Sequence, residues 1–182
     1  DRGVLKAIEP LAMTDMPSLV NGLAARTQQA AVVEQQVGKP VSPLTAQEAE
    51  RVGEMLALLP PADRSKYVAT MAQAGGPKSA SALAAQIDKK DRALGLAFAM
   101  AGSKTTQGRY TSELILKGAQ AMRDKSIKED NAAVTGFRAQ VAGLIGDAYL
   151  TPEARDAAID AALLTNYGMM AEGSGDIERA VR

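Results

Sequence analysis

The chain has 182 residues, with 21 Lys and Arg balancing 21 Asp and Glu, and it contains neither Cys nor His. This length allows one domain, or two small ones, with a real hydrophobic core. The lack of Cys and His excludes disulfides, thiolate nucleophiles, imidazole bases and most zinc or iron sites. The net charge of zero lacks the basic excess of a typical nucleic-acid binder. We therefore expect no cofactor, no metal and no nucleic-acid partner.

The composition also indicates the fold class. Ala, Leu, Gln, Glu, Lys, Arg and Met dominate and runs of β-branched residues are missing, which favours helix nearly everywhere. We predict an all-α fold of about seven to nine helices in an irregular bundle, with 1–182 as a single helical domain. The alternative is a two-lobed molecule with a boundary in the most irregular region, 102–111. No run of about 18 apolar residues is present, so no transmembrane segment is expected.

The first predicted helix has clear signals at both ends. Asp15 or Ser18 can cap its start, and the helical pattern continues to about Val37. Gly38 stands where a left-handed C-terminal cap belongs, and Pro40 prevents the helix from continuing.

The two ends of the given sequence bear on its extent. The sequence starts at Asp1 without Met, and it ends in DIERAVR (176–182), which is typical of a helix beginning. We therefore expect a fragment of a longer protein.

The second predicted helix begins with a capping box, in which Thr45 is followed three residues later by Glu48. Pro60 and Pro61 are expected to end it. The third helix is expected to stop at Gly75-Gly76-Pro77, because glycine and proline together interrupt a helical backbone.

Helices of the middle of the chain are separated by polar turns. A short helix is expected after Ser79 or Ser81, and the charged turn DKKD (88–91) follows it. The segment RALGLAFAMAG (92–102) predicts a largely buried, Ala-rich helix with its C-cap at Gly102. Thr111 is expected to cap the next helix.

Two further helices are predicted in the last third of the chain. Ser126 and Glu129 form another capping box, which opens a long helix toward Tyr149. Thr151-Pro152-Glu153 is a clear helix start, with proline at the first helical position. The segment EGSGD (172–176) is expected to end that helix.

The stretch AGSKTTQG (101–108) follows an apolar run and imitates the start of a phosphate-binding loop. Such a loop needs a glycine directly before the lysine and another five residues earlier. Ser103 precedes Lys104, and Phe98 stands at the earlier position. Nucleotide binding is therefore not expected, and the stretch is interpreted as a helix C-cap followed by a polar loop.

Three carboxylates near loop–helix junctions, Glu113, Glu153 and Glu172, are the candidates for catalysis by a single acidic residue. Glu113 and Glu153 are explained by their places in helix first turns, where they oppose the dipole, and Glu172 by a solvated turn. The signatures of lytic transglycosylases are absent. No catalytic residue is assigned. An enzyme would show a pocket with an isolated buried Glu, whereas an interaction module would show an apolar patch of several hundred Å².

Small and flexible side chains suggest where helices meet. Gly136, Gly143 and Gly146 lie in one predicted helix and would let another helix approach closely, either within the molecule or between subunits. The charge clusters DKKD (88–91) and MRDKSIKED (122–130) are interpreted as solvated faces. The methionines are interpreted as gap-filling core residues rather than an adaptable binding surface. They are Met13, Met16, Met55, Met71, Met100, Met122, Met169 and Met170.

Several segments resemble the helical region of large virion proteins encoded by tailed phages and prophages. One is AARTQQAAVVEQQVGKPVSPLTAQEAERV (24–52), which joins a small-residue helix, a Gly-x-Pro turn and Pro-Leu-Thr-x-x-Glu-Ala. Others are ELILKGAQAM (113–122), FRAQVAGLIGDAYLTPEARDAAIDAALLTNYG (137–168) and the terminal DIERAVR. The matching positions of the first segment are Gly38, Pro40, Pro43, Leu44, Thr45, Glu48 and Ala49.

This resemblance implies a non-enzymatic structural or assembly module of a virion protein that is internal to the particle or ejected from it. It would lie in the virion, and in the host bacterial cytoplasm before assembly. Its partners would be other virion proteins or a second copy, through Ala/Gly-rich helix faces. Two alternatives remain open at this point: a bacterial helical interaction domain unrelated to phage, and a muralytic domain of the lysozyme or transglycosylase type.

Overall fold

A computed structural model describes residue 11 and residues 13–124, 131–145 and 151–181 of the chain. The fold is all-α, as predicted, and the described part contains seven helices and no strand. They are α1 (Met16–Val37), α2 (Ala46–Ala57), α3 (Pro61–Ile87), α4 (Arg92–Ala101), α5 (Thr106–Arg123), α6 (Asn131–Ile145) and α7 (Pro152–Val181).

The core is organised around α3 and α4. Helix α3 packs against α1, α2, α4 and α5, and α5 packs extensively on α7. Seven of the ten residues of α4 are buried, and Phe98 at its centre is completely inaccessible. One continuous apolar cluster runs from Met16 in α1 to Ala161 in α7 and includes residues on both sides of the α4–α5 turn. That turn, residues 102–105, lies within the predicted irregular region 102–111, and the rest of that region belongs to α5.

Helix α1 begins and ends as the sequence predicts, and α2 begins as predicted but ends at Ala57, before the two prolines. The Asp15 carboxylate accepts the backbone N–H of Ser18 at 2.8 Å. At the other end of α1, Gly38 has the left-handed φ of 67° and donates its N–H to Glu34. The capping box of α2 is complete, because Thr45 and Glu48 each accept the other's backbone N–H.

Two buried arginines fix α2 in place. Arg26 of α1 donates to both oxygens of Glu48 at 2.6 and 2.7 Å, so one carboxylate both caps α2 and joins it to α1. Arg64 of α3 donates to the carbonyls of Leu56, Ala57 and Leu59, which lie at the C-terminal end of α2. Burial lowers the pKa of the Arg64 guanidinium below its ordinary value.

Helix α3 contains the break that the sequence predicts, but its two halves are joined without a loop. Gly76 has φ 71° and ψ −179°, a conformation that is essentially restricted to glycine, and Pro77 begins the second half. The second half therefore starts before Ser79. The prediction that it starts after Ser79 or Ser81 is wrong. Ser79 is fully buried within the helix, where its hydroxyl lies 2.6 Å from the hydroxyl of Thr27.

Two further predicted helix boundaries are also wrong. Helix α5 begins at Thr106 with Thr105 as its cap, so Thr111 lies inside the helix. Gly108 lies within this helix and is needed there, because a Cβ on it would collide with Ser103 and Met100. Helix α7 does not end at EGSGD (172–176) and continues to Val181. A helical glycine costs only about 1 kcal/mol, and Glu172 is anchored to α5.

Other predicted elements have mixed outcomes. Thr151 caps α7, and Gly102 follows α4 as its C-cap, although with an ordinary helical φ of −64°. The turn DKKD (88–91) is more than a solvated face, because Asp91 caps α4 and Lys90 pairs with Glu50 of α2. The predicted capping box of Ser126 and Glu129, together with Gly146 and Tyr149, lies outside the described residues.

Candidate functional site

Helix α6 differs from the other described helices because none of its described side chains is buried. Its sequence, NAAVTGFRAQVAGLI, is mostly apolar, yet Leu144 is 81% exposed. Helices that are apolar around most of their circumference are normally covered by protein or lipid. The exposed α6 surface is therefore the leading candidate for an interaction site.

The exposed side of α6 carries small residues at regular spacing. Ala132, Gly136, Ala139 and Gly143 follow one another at intervals of four, three and four residues, which places them within about 60° of one another around the helix. All four are exposed, and a Cβ built on Gly136 or Gly143 would meet no atom within 4 Å. We call these four residues the small-residue stripe.

The opposite side of α6 attaches it to the bundle. The half-buried Val134, Phe137 and Val141 lie on that side, and α6 packs on α7. Around them the attachment is polar. Arg138 donates to Asp160 of α7 at 2.5 Å, and Arg155 of α7 donates to a backbone carbonyl of α6.

Asp160 of α7 joins three helices. Besides Arg138 of α6, it accepts a hydrogen bond from Arg92 of α4 at 3.1 Å. Arg92 also donates to Asp88 at 2.6 Å, and this hydrogen bond, followed by the one to Asp160, raises the pKa of Arg92 above its ordinary value. The position of α6 is therefore linked electrostatically to the buried helix α4.

Two of the three candidate catalytic carboxylates meet at a lysine. Lys117 of α5 lies 2.8 Å from Glu113 and 2.6 Å from Glu172 of α7, which also accepts the hydroxyl of Tyr110 at 3.2 Å. The hydrogen bond from Lys117 holds the pKa of Glu172 below its usual range, whereas a general acid requires a raised value. Glu153 is exposed in the first turn of α7.

The described residues offer no isolated buried carboxylate. The polar side chains that are buried there belong to Arg26, Arg64, Ser79 and Ser112. Within the same ranges, no three acidic side chains come together as a group that could hold a metal ion. None of the described helices combines the length and the apolar character that crossing a membrane requires.

The imitation phosphate loop has a structural explanation. Phe98, at the position of the first glycine, is part of the core, and Gly102 closes α4. Lys104 has a φ of 57° in the turn before α5, so its unusual backbone belongs to the connection between two helices.

Most of the methionines contribute to the core. Met16 and Met71 are buried, and Met13, Met55 and Met100 pack against the core cluster. Met169 and Met170 differ, because about half of each side chain is exposed on α7.

Sequence reasoning identified Gly136 and Gly143 but placed no other residue of the stripe. It also missed an open groove between α3 and α5, because that groove depends on the distance between two helices. Comparison of the chain with protein-family models, with curated proteins and with solved structures finds no match.

Proposed function

We propose that this chain is a non-enzymatic structural or assembly module of a phage or prophage virion protein, and that it associates with a second copy through α6. The observation that carries the assembly role is the small-residue stripe on an apolar helix, none of whose described side chains is buried. The virion context comes from the sequence resemblance at 24–52, 113–122 and 137–168.

A second copy of α6 fits the stripe for two physical reasons. Glycine and alanine let two helix backbones approach closely, so that backbone and side-chain contacts accumulate along the crossing. The stripe itself carries no charge, so two identical copies meet without electrostatic repulsion. A symmetric dimer would place the same stripe on both sides of a two-fold axis.

Self-association is tested by sedimentation velocity over a wide range of protein concentration. We expect the sedimentation coefficient to rise with concentration for the unmodified chain. Ala139→Glu combined with Gly143→Glu should abolish this rise, because burying two carboxylates in an apolar helix contact is unfavourable. Gln29→Glu combined with Gln36→Glu on the exposed face of α1 adds the same two charges elsewhere and serves as the control. A monomer at every concentration would contradict association through α6.

The virion context is tested by peptide mass spectrometry of phage particles induced from the source bacterium and purified on a density gradient. Peptides such as YTSELILK (110–117) should be present in intact particles at stoichiometric level. If the peptides stay in the lysate and never enter particles, the virion assignment is wrong. An interaction role of α6 in another bacterial protein would survive that result.

A further inference from the structure

An open groove of about 810 Å³ lies between the first half of α3 and helix α5. Residues 61–69 of α3 form one wall and residues 106–117 of α5 form the other, so the walls extend over about two and three helical turns. The groove lies on different helices from the small-residue stripe.

The middle of this groove is lined by apolar side chains. Ala62 and Ala69 contribute from α3, and Leu116 contributes from α5. Tyr110 stands at the rim with 46% of its surface exposed, and its hydroxyl is held by Glu172. A partly exposed aromatic ring that is fixed by a hydrogen bond offers a large contact area at little entropic cost.

The charges of the groove are unbalanced. Among the described residues that line it are three cations, Lys66, Arg109 and Lys117, but one carboxylate, Glu113. Lys117 is already bound to Glu113 and to the neighbouring Glu172. Lys66 and Arg109 are exposed and form no ion pair with any described residue. They project from opposite walls of the groove, so an occupant would meet positive charge on both sides.

We infer that the α3–α5 groove binds an amphipathic acidic helix of a partner protein, whose apolar residues cover Ala62, Ala69 and Tyr110 and whose carboxylates pair with Lys66 and Arg109. Two helices of a bundle leave a trough that a third helix fills with side chains spaced three and four residues apart. The two unpaired cations on opposite walls select carboxylates on both flanks of that helix. This inference goes beyond the proposed function and does not rest on it, because no residue of α6 is involved.

Fluorescence anisotropy with labelled synthetic peptides tests this inference. The probes are a panel of helical peptides of about 14 residues, with Leu on one face and Glu on both flanks, in several registers. Matched peptides carry Lys in place of every Glu. We expect at least one acidic peptide to bind tenfold or more tightly than its Lys counterpart, with an affinity that falls as salt is added.

Two variants separate the contributions of charge and shape. Lys66→Glu combined with Arg109→Glu should weaken acidic-peptide binding at least tenfold. Ala62→Trp should weaken binding by filling the trough without changing its charge. Lys39→Glu combined with Lys89→Glu makes the same change of charge outside the groove and should leave binding unchanged. Thermal unfolding followed by circular dichroism verifies that each variant is folded.

Three results would overturn the inference. In the first, no acidic peptide of the panel binds more tightly than its Lys counterpart. In the second, binding persists when Lys66 and Arg109 are reversed. In the third, inorganic phosphate or a single-stranded oligonucleotide binds with the same dependence on Lys66 and Arg109 while the peptides do not, which would make the groove an anion site.

Discussion

Gly118 of α5 and Gly168 of α7 face each other where these two helices cross. A Cβ on Gly118 would lie 2.9 Å from the backbone nitrogen of Gly168 and would overlap the carbonyl oxygen of Leu164. A Cβ on Gly168 would likewise overlap the carbonyl oxygen of Leu114. The helices are therefore in backbone contact, and each glycine is required because it has no side chain.

Substitution of Gly118 by Ala should separate α5 from α7. We expect the free energy of unfolding to fall by about 2–3 kcal/mol, since backbone atoms cannot move aside as a flexible side chain can. Urea denaturation followed by circular dichroism measures the change. Gly173→Ala in α7 is the matched control, because a Cβ there would meet no atom within 4 Å, and it should raise stability by about 0.5–1 kcal/mol. Equal effects of the two substitutions would argue against the backbone contact.

The break in α3 leads to a second prediction. Gly76→Ala should destabilise the protein by about 1–3 kcal/mol, because an L-residue is strained at φ 71° and ψ −179°. Steric crowding does not cause this loss of stability, since the nearest atom to an added Cβ is the Lys104 amine at 3.9 Å. Gly173→Ala in α7 is the control, because that glycine is helical and has open space around it. A Gly76→Ala variant as stable as the control would mean that α3 is not broken at this residue.

The pair of Arg26 and Glu48 should make stability depend on pH. Burial alone would raise the pKa of Glu48, but the hydrogen bonds from Thr45 and Arg26 outweigh burial and hold that pKa below its ordinary value. The carboxylate therefore contributes stability above the pKa it has in the unfolded chain, about 4.3. This contribution is lost as the pH falls through the lower pKa of the folded state.

Glu48→Gln should remove this contribution. We expect a loss of about 3 kcal/mol at pH 7, because the buried Arg26 loses the carboxylate with which it forms an ion pair. The difference from the unmodified protein should shrink as the solution is acidified below the ordinary Glu pKa. Glu54→Gln, on an exposed part of the same helix, should change little at any pH. A difference that is constant with pH would assign the effect to shape and not to charge.

Arg64 provides a test of hydrogen-bond geometry. Its guanidinium serves three carbonyls at 3.0, 3.0 and 3.1 Å, and a lysine ammonium cannot reach all three from one position. Arg64→Lys should therefore lower the midpoint of thermal unfolding, with a loss of about 2 kcal/mol from buried carbonyls without a donor. Arg51→Lys on exposed α2 surface keeps the same chemistry and should have no effect. Equal stability of the two variants would show that the charge alone matters at residue 64.

The sequence predicted those features that depend on neighbouring residues. Asp15, Gly38 and the Thr45–Glu48 box are local caps, and each has the predicted partner. Glycines were less informative, since one residue type serves several purposes. Gly76 does break a helix, but Gly108 stands within α5 because space is short there.

Long-range relationships were beyond the reach of sequence reasoning. Gly118 and Gly168 are 50 positions apart, and no local pattern indicates that they touch. Lys66 and Arg109 look like ordinary surface residues in the sequence, and they form a common site because α3 and α5 lie apart at that point. Gly136 and Gly143 were recognised as a packing face, but the sequence did not show that this face is left uncovered by the rest of the described chain.

The attachment of α6 makes it a unit that can open separately. Among the described residues, three half-buried apolar side chains, the Arg138–Asp160 pair and the hydrogen bond from Arg155 hold it to α7, while α4, α5 and α7 pack together without it. We therefore expect the release of α6 to cost less free energy than global unfolding, and its amide hydrogens to exchange with solvent through this local opening. A second molecule that covers α6 adds its binding free energy to the cost of opening, so amide protection in α6 reports association directly.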